Sequence, residues 1–119
     1  GPYLQYAHAR VSSIFRRLEA PYHAGAANFA LGAKAERELA LGLLALPEAF
    51  ASSLSSLQPH RLCTYLFDLA QRFTSFYDAC PVLSAEGALR DERLALCDLT
   101  ARTLRLGLAV LGIDTPDQM

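Results

Sequence analysis

Aromatic residues and arginines share one face of the first predicted helix. Tyr6 and Arg10 are four residues apart, and Tyr3 lies one turn before Tyr6. Arg17 continues the same face two turns beyond Arg10. Rings stack on unpaired bases and guanidinium groups hold phosphates or base edges, so this face could bind single-stranded RNA. On the pattern alone the alternative is favoured, in which Tyr3 is a core residue and Tyr6 a half-buried cover, because such stripes usually face a core.

The sequence carries none of the common catalytic signatures. It has no G-x-S-x-G, G-x-x-x-x-G-K or G-x-G-x-x-G run. The histidines have no ligand-like partner four residues on; they are His8, His23 and His60. The cysteines are odd in number and form no C-x-x-C pair; they are Cys63, Cys80 and Cys97. We therefore expect no catalytic and no metal-binding residue in this chain. His8 is expected to be packed in the interior or to cap a helix, and the three cysteines suit a reducing environment.

Length and composition indicate one folded domain over residues 1–119. Hydrophobic residues make up 52% of the chain and charged residues 19%, which argues against disorder. No apolar run approaches the roughly 20 residues of a membrane span, and the N-terminus lacks the pattern of a secretory signal. The formal net charge is −1, but residues 1–18 contain three arginines and no acid. We expect a cytoplasmic monomer with no membrane contact and a local positive patch.

The chain is predicted to be helical throughout, because alanine and leucine are abundant and β-branched residues are few. Pro2 suits a first turn, and Pro21 with Gly25 ends the first helix. Its buried face is predicted from apolar residues at helical spacing: Tyr3, Ala7, Val11, Ile14 and Leu18. Residues 22–33 follow as an Ala/Gly-rich linker.

Four further helices are predicted after the linker. The second covers about 35–46, with an inward face of Ala35, Leu39, Leu43 and Leu46. Pro47 breaks it or starts a third through Phe50, Leu54 and Leu57. The fourth begins at Pro59, and the fifth covers about 89–111 with Asp91 and Glu92 at its start, complementing its dipole. Their apolar stripes are Leu62, Leu66, Leu69, Phe73 and Phe76, and Cys97, Ala101, Leu104, Leu108 and Leu111. These stripes should pack on each other, so the expected fold is all-α, a single bundle of about five helices.

Three segments resemble one known family. The run GPYLQYAHARVSSIFRR at 1–17 is similar to the start of the C-terminal anticodon-binding domain of arginyl-tRNA synthetases, which carries a G-P-Y-L-Q-Y-x-H-x-R pattern. The segments at 59–83 and 88–119 resemble the second half of that domain. GALR at 87–90 corresponds to the D-A-L-R signature that gives the fold its name. The similarity is weakest across residues 20–57, and Gln118 stands where the family usually has a basic residue.

The resemblance implies binding of the anticodon loop of an arginine tRNA. In that family the positions matching Tyr3, Tyr6, Arg10 and Met119 lie beside this loop. Tyr6 would support base stacking, and Arg10 would contact phosphate or a base edge. Met119 would place its side chain and the chain's carboxylate beside the central cytosine of the anticodon. A carboxylate accepts from the exocyclic amine of cytosine, and uracil has no such donor.

The same resemblance implies that tRNA binding and catalysis belong to different domains of a longer protein. The H-I-G-H and K-M-S-K signatures of the family's ATP-binding catalytic domain are absent from this sequence. Ligation of arginine with ATP and magnesium is therefore expected of a longer parent protein and not of this fragment. Two alternatives remain: a free-standing DALR-like domain acting as an RNA-binding paralogue, and a helical protein-interaction module. Near-neutral charge and high apolar content suit the second of these.

Overall fold

Five helices form the whole of the regular structure within residues 2–18, 22, 28–56 and 58–112, which the computed structural model describes. They are α1 (Pro2–Arg16), α2 (Lys34–Leu44), α3 (Leu46–Ser56), α4 (Pro59–Ala79) and α5 (Gly87–Val110). The predicted all-α class and the bundle of about five helices are confirmed. In this part of the chain no helix is long and apolar enough to cross a membrane.

The long helix α4 is the centre of the bundle. It packs against each of the other four helices, while α1 packs mainly on α5. The predicted stripes of α4 and α5 meet in the core. All five stripe residues of α4 are buried, as are Cys97, Ala101, Leu104 and Leu108 of α5. Regular spacing over more than three turns made this pairing predictable, because a helix can bury such a stripe only against another element.

Helix α1 buries a face that is displaced by one position from the predicted one. Its buried residues include Leu4, His8, Val11 and Ile14, whereas Tyr3 is 43% exposed. The two stripes share Val11 and Ile14, so the prediction is wrong only in the first two turns. A leucine is wholly apolar, while a buried tyrosine hydroxyl needs a hydrogen-bond partner, which favours Leu4 as the inward residue. The expectation of a packed His8 is confirmed.

The boundary between α2 and α3 lies at Ala45, just before the proline that was expected to form it. Pro47 is the second residue of α3, where the missing N–H leaves no helical hydrogen bond unmade. Leu46 accordingly begins α3 and does not end α2. Leu54 is 68% exposed and is not a core residue, and Leu57 lies outside the described residues.

A buried ion pair joins α2 to α5. Glu36 Oε2 lies 2.9 Å from Arg93 Nε, and Glu36 Oε1 accepts a hydrogen bond of 2.8 Å from the backbone N–H of Ala33. Arg93 Nη1 also donates to the carbonyl oxygen of Pro81 at 2.7 Å. The pair therefore fixes the start of α2, the α4–α5 loop and the first half of α5 to one another.

Glu92 has a structural role that its predicted position did not suggest. Helix α5 begins at Gly87, two residues earlier than predicted, so Glu92 lies beyond the first turn. Its carboxylate is buried and accepts a 2.6 Å hydrogen bond from the backbone N–H of Leu31. Leu31 has a φ of 52°, a conformation that costs energy for a leucine. The carboxylate thus holds the segment before α2 against α5.

Candidate nucleic-acid interface

The outer side of α1 carries the predicted pair Tyr6 and Arg10. Tyr6 is 56% exposed and Arg10 is also exposed. The opposite side of the helix is held in the core by Leu4, Val11 and Ile14. Residues four apart on a helix are neighbours on its surface, so the fold presents a ring and a cation side by side. The alternative is wrong in taking Tyr3 as a core residue, since Tyr3 is 43% exposed, whereas Tyr6, at 56% exposure, has about half of its surface covered, as that alternative expected.

Arg10 keeps its guanidinium uncommitted within the described part of the chain. No carboxylate there forms an ion pair with it, in contrast to Arg72, Arg93 and Arg102. Its backbone carbonyl accepts a 2.7 Å hydrogen bond from Ser13 Oγ, a contact that leaves the side chain unaffected. A guanidinium in this position can make planar, bidentate contacts with a phosphate or a base edge.

Tyr3 lies against an aromatic residue that the sequence reasoning did not single out. Its ring stacks on Phe67 of α4 with centroids 5.2 Å apart and planes inclined by 5°. Phe67 is 38% exposed, so the stacked pair reaches the surface where α1 meets α4. The available signal was the position of Phe67 in α4, next to the buried Leu66 but outside the apolar stripe.

Arg17 was predicted to share the face of Tyr6 and Arg10, but its guanidinium is hydrogen-bonded elsewhere. Its Nη2 donates to the hydroxyl oxygen of Tyr77 at 3.2 Å, which ties the end of α1 to α4. The Tyr77 ring is partly buried and lies 6.0 Å from that of Phe73, with planes inclined by 21°. The structure therefore places Tyr3, Tyr6 and Arg10 along α1, while the side chain of Arg17 is hydrogen-bonded to α4. Met119 lies outside the described residues, and its predicted role stays a prediction.

A groove of about 730 Å³ runs between the start of α2 and α4. Three of its four charged residues are engaged with one another, since Arg72 lies 2.8 Å from Asp68 and 3.3 Å from Glu38, and the fourth is Lys34. Within the described residues no group of three or more His, Cys, Asp or Glu side chains could hold a metal ion. The groove thus offers mostly paired charges, whereas Arg10 on the outer side of α1 forms no ion pair with any described residue.

Comparison with known proteins decides the family. Residues 4–119 match the family described as the DALR anticodon binding domain. The chain belongs to the DALR anticodon-binding family. Similar proteins named arginine–tRNA ligase come from Frankia casuarinae, 52% identical over all of this chain, and Thermobifida fusca, 50% identical over all of it. The chain spans 20% and 21% of their lengths, respectively.

A solved structure agrees with this assignment. The arginyl-tRNA synthetase of Thermus thermophilus superposes with a TM-score of 0.91 at 41% identity, over all of this chain and 21% of that one. The corresponding enzyme of Plasmodium falciparum gives a TM-score of 0.83 at 27% identity, over 98% of this chain and 21% of that one. The likeness covers α1 to α5, including α2 and α3, which lie in the region where the sequence resemblance is weakest. These relatives support the synthetase interpretation, and none of them supports the interaction-module alternative.

Proposed function

We propose that this DALR domain binds the anticodon loop of an arginine tRNA as part of an arginine–tRNA ligase. The observation that carries the proposal is the family match over residues 4–119, joined to relatives of that name at 50% identity and above. The exposed pair of Tyr6 and Arg10 supplies a physical basis. A ring can stack on one unpaired base while the adjacent guanidinium holds a phosphate or base edge.

The ligation itself is assigned to the remainder of a longer protein, since the chain spans about a fifth of its relatives. ATP and magnesium would act there, in a catalytic domain with which this bundle shares one polypeptide in the cytoplasm. The residues of this chain would contribute only to selecting the tRNA. We propose that they do so as a monomer.

Titration of anticodon stem-loops tests the proposal. Wild type should bind a stem-loop with the arginine anticodon, and Tyr6→Ala should weaken binding by about 1–3 kcal/mol, the value of one stacked base. Tyr6→Phe keeps the ring and should bind nearly as wild type. Failure of wild type to bind the stem-loop at millimolar protein would refute the proposal.

Met119 is proposed to read the central base of the anticodon. Two stem-loops that differ only in a cytosine or uracil at this position provide the comparison. Deleting Met119, which removes its side chain and moves the terminal carboxylate back by one residue, should reduce the preference for cytosine more than it reduces overall affinity, because the contact is to the base and not to the backbone. Equal binding of both loops by wild type would remove the claim of base selection.

A further inference from the structure

We propose that Tyr3 and Phe67 form an aromatic shelf that stacks an additional unpaired base of the same RNA loop. The shelf is defined by these two rings. The proposal rests on the RNA binding proposed above and adds a contact from α4 to it. Phe67 then becomes an RNA-binding residue, and the interface extends from one helix to two.

The geometry of the pair is suited to a base. The two rings are stacked and nearly parallel, with an interplanar angle of 5° and a centroid separation of 5.2 Å, so an unpaired base can continue the stack on the outer face of either ring. The other ring contacts of the described residues are less suitable. Phe15 and Tyr22 meet edge to face at 66°, and the ring of Phe73 belongs to a fully buried residue. A nucleobase stacks on a flat ring face that it can reach, and both shelf rings are partly exposed.

The shelf is continuous with Tyr6 and Arg10. With a rise of about 1.5 Å per residue, Tyr3 precedes Arg10 by about 10 Å along the helix axis, and Tyr6 lies between them. Residues 2–18 contain no carboxylate side chain. The aromatic shelf, the ring of Tyr6 and the guanidinium of Arg10 therefore follow one another along the surface. No acidic side chain of α1 lies among them to repel a phosphate backbone.

The contribution of α4 also fixes the shelf in place. Phe67 is flanked by the buried Leu66, and Leu69 two residues further on is buried as well. The backbone that carries Phe67 is therefore anchored in the core. Stacking on this ring limits the rotation of Tyr3 before RNA arrives, and a preorganised ring loses less side-chain entropy on binding.

The test uses stem-loops that carry 2-aminopurine at single loop positions, because the fluorescence of this base is quenched by aromatic stacking. Phe67→Leu removes the ring but keeps most of the volume, and we expect affinity to fall roughly fivefold or more. Phe67→Tyr should bind as wild type. Quenching should be lost at one loop position in Phe67→Leu and at a different one in Tyr6→Ala. Leu106→Ala, at a 50% exposed position of α5, is the matched control and should change nothing.

The outcomes separate the shelf from the proposed function. Wild-type affinity in Phe67→Leu, with impaired binding in Tyr6→Ala, would overturn the shelf and leave RNA binding intact. No binding by wild type would overturn both. Tyr3→Leu removes the same stack from the other helix, so the shelf is rejected if either leucine variant with a wild-type melting temperature also keeps wild-type affinity. Self-association of the chain that Phe67→Leu abolishes, with RNA affinity unchanged, would assign the two rings to a second copy and reject the shelf.

Discussion

Glu36 and Arg93 meet at 2.9 Å in the interior of the bundle, with side chains that are 1% and 12% exposed. Burying two charges requires that each be satisfied, and here the backbone completes both sets of hydrogen bonds. Removing one partner of such a pair destabilises the fold, because a single buried charge has a far higher free energy than the intact pair.

The first prediction follows from this pair. Glu36→Ala should reduce the free energy of unfolding by about 3–5 kcal/mol, because Arg93 is left without its buried counter-charge. A double-mutant cycle with Arg93→Ala, measured by urea denaturation, gives the coupling between the two side chains. We expect the double variant to be much more stable than the sum of the single losses implies. Additive losses would mean that the two side chains act independently.

The second prediction concerns the core stripe of α4. Leu69→Ala should lower the free energy of unfolding by about 2–5 kcal/mol, because it leaves a cavity among fully buried side chains. Leu41→Ala is the matched control: it makes the same change at a 59% exposed position of α2, and the expected effect is within about 0.5 kcal/mol. Chemical denaturation of both variants provides the measurement. Equal losses at the two positions would contradict the assignment of the buried face.

The third prediction is a loss of stability in alkali. Burial raises the pKa of Tyr65 from 10.0 to about 12, and the neutral hydroxyl donates a 2.6 Å hydrogen bond to the carbonyl of Gly42. Between these pH values the unfolded chain releases the proton and the folded protein retains it. The free energy of unfolding therefore falls as pH rises from 10 towards 12. Tyr65→Phe should flatten this part of the stability curve.

Cys97 allows the two alkaline contributions to be separated. Burial raises the pKa of its thiol from 9.0 to about 12, so its share of the loss begins about one pH unit earlier than that of Tyr65. Cys97→Ala should flatten the decline from about pH 9 to 12, whereas Tyr65→Phe should flatten it only from about pH 10 to 12. Thermal denaturation at fixed pH values from 8 upward supplies the curves. Curves parallel to wild type in both variants would show that other groups control the alkaline limit.

The fourth prediction concerns the salt dependence of RNA binding. For contacts to an unpaired loop, log affinity should fall with log salt by about 0.7 per neutralised phosphate. Arg10→Ala should reduce this slope by about one phosphate if its contact is to the backbone. Arg105→Ala removes the same charge from an exposed position of α5 and should leave the slope unchanged. Equal effects of the two substitutions would indicate that only overall charge matters.

The sequence predicted those helices in which the spacing of apolar residues is compatible with only one buried face. The stripe from Leu62 to Phe76 fits one helical face over its whole length, so both its helix and its burial were predictable. Near Tyr3 and Leu4 the sequence allows two different buried faces of α1. Which of them is buried depends on the side chains of α5 and α4 that pack against it. Glu92 could not be placed from local rules either, because its partner is the backbone of Leu31, 61 residues away.

The candidate site was predictable to a similar extent. Tyr6 and Arg10 share a face through helical spacing alone, so their proximity needed no tertiary information. The bond from Arg17 to Tyr77 and the stack of Tyr3 on Phe67 each join residues at least 60 positions apart. No pattern within one helix reports such contacts. They emerge only when α1 and α4 are packed together.

The packing of α1 has a consequence for synthesis on the ribosome. Of the five helices α1 leaves the exit tunnel first, yet the helix that it packs against most is α5, the last of the five to be made. During translation α2, α3 and α4 can associate as soon as α4 has emerged, whereas α1 has only its smaller contact with α4 until α5 follows. A nascent chain halted after α4 would carry Tyr6 and Arg10 on a helix that is only partly packed. The RNA-binding surface proposed on α1 is therefore completed late, when α5 packs against this helix.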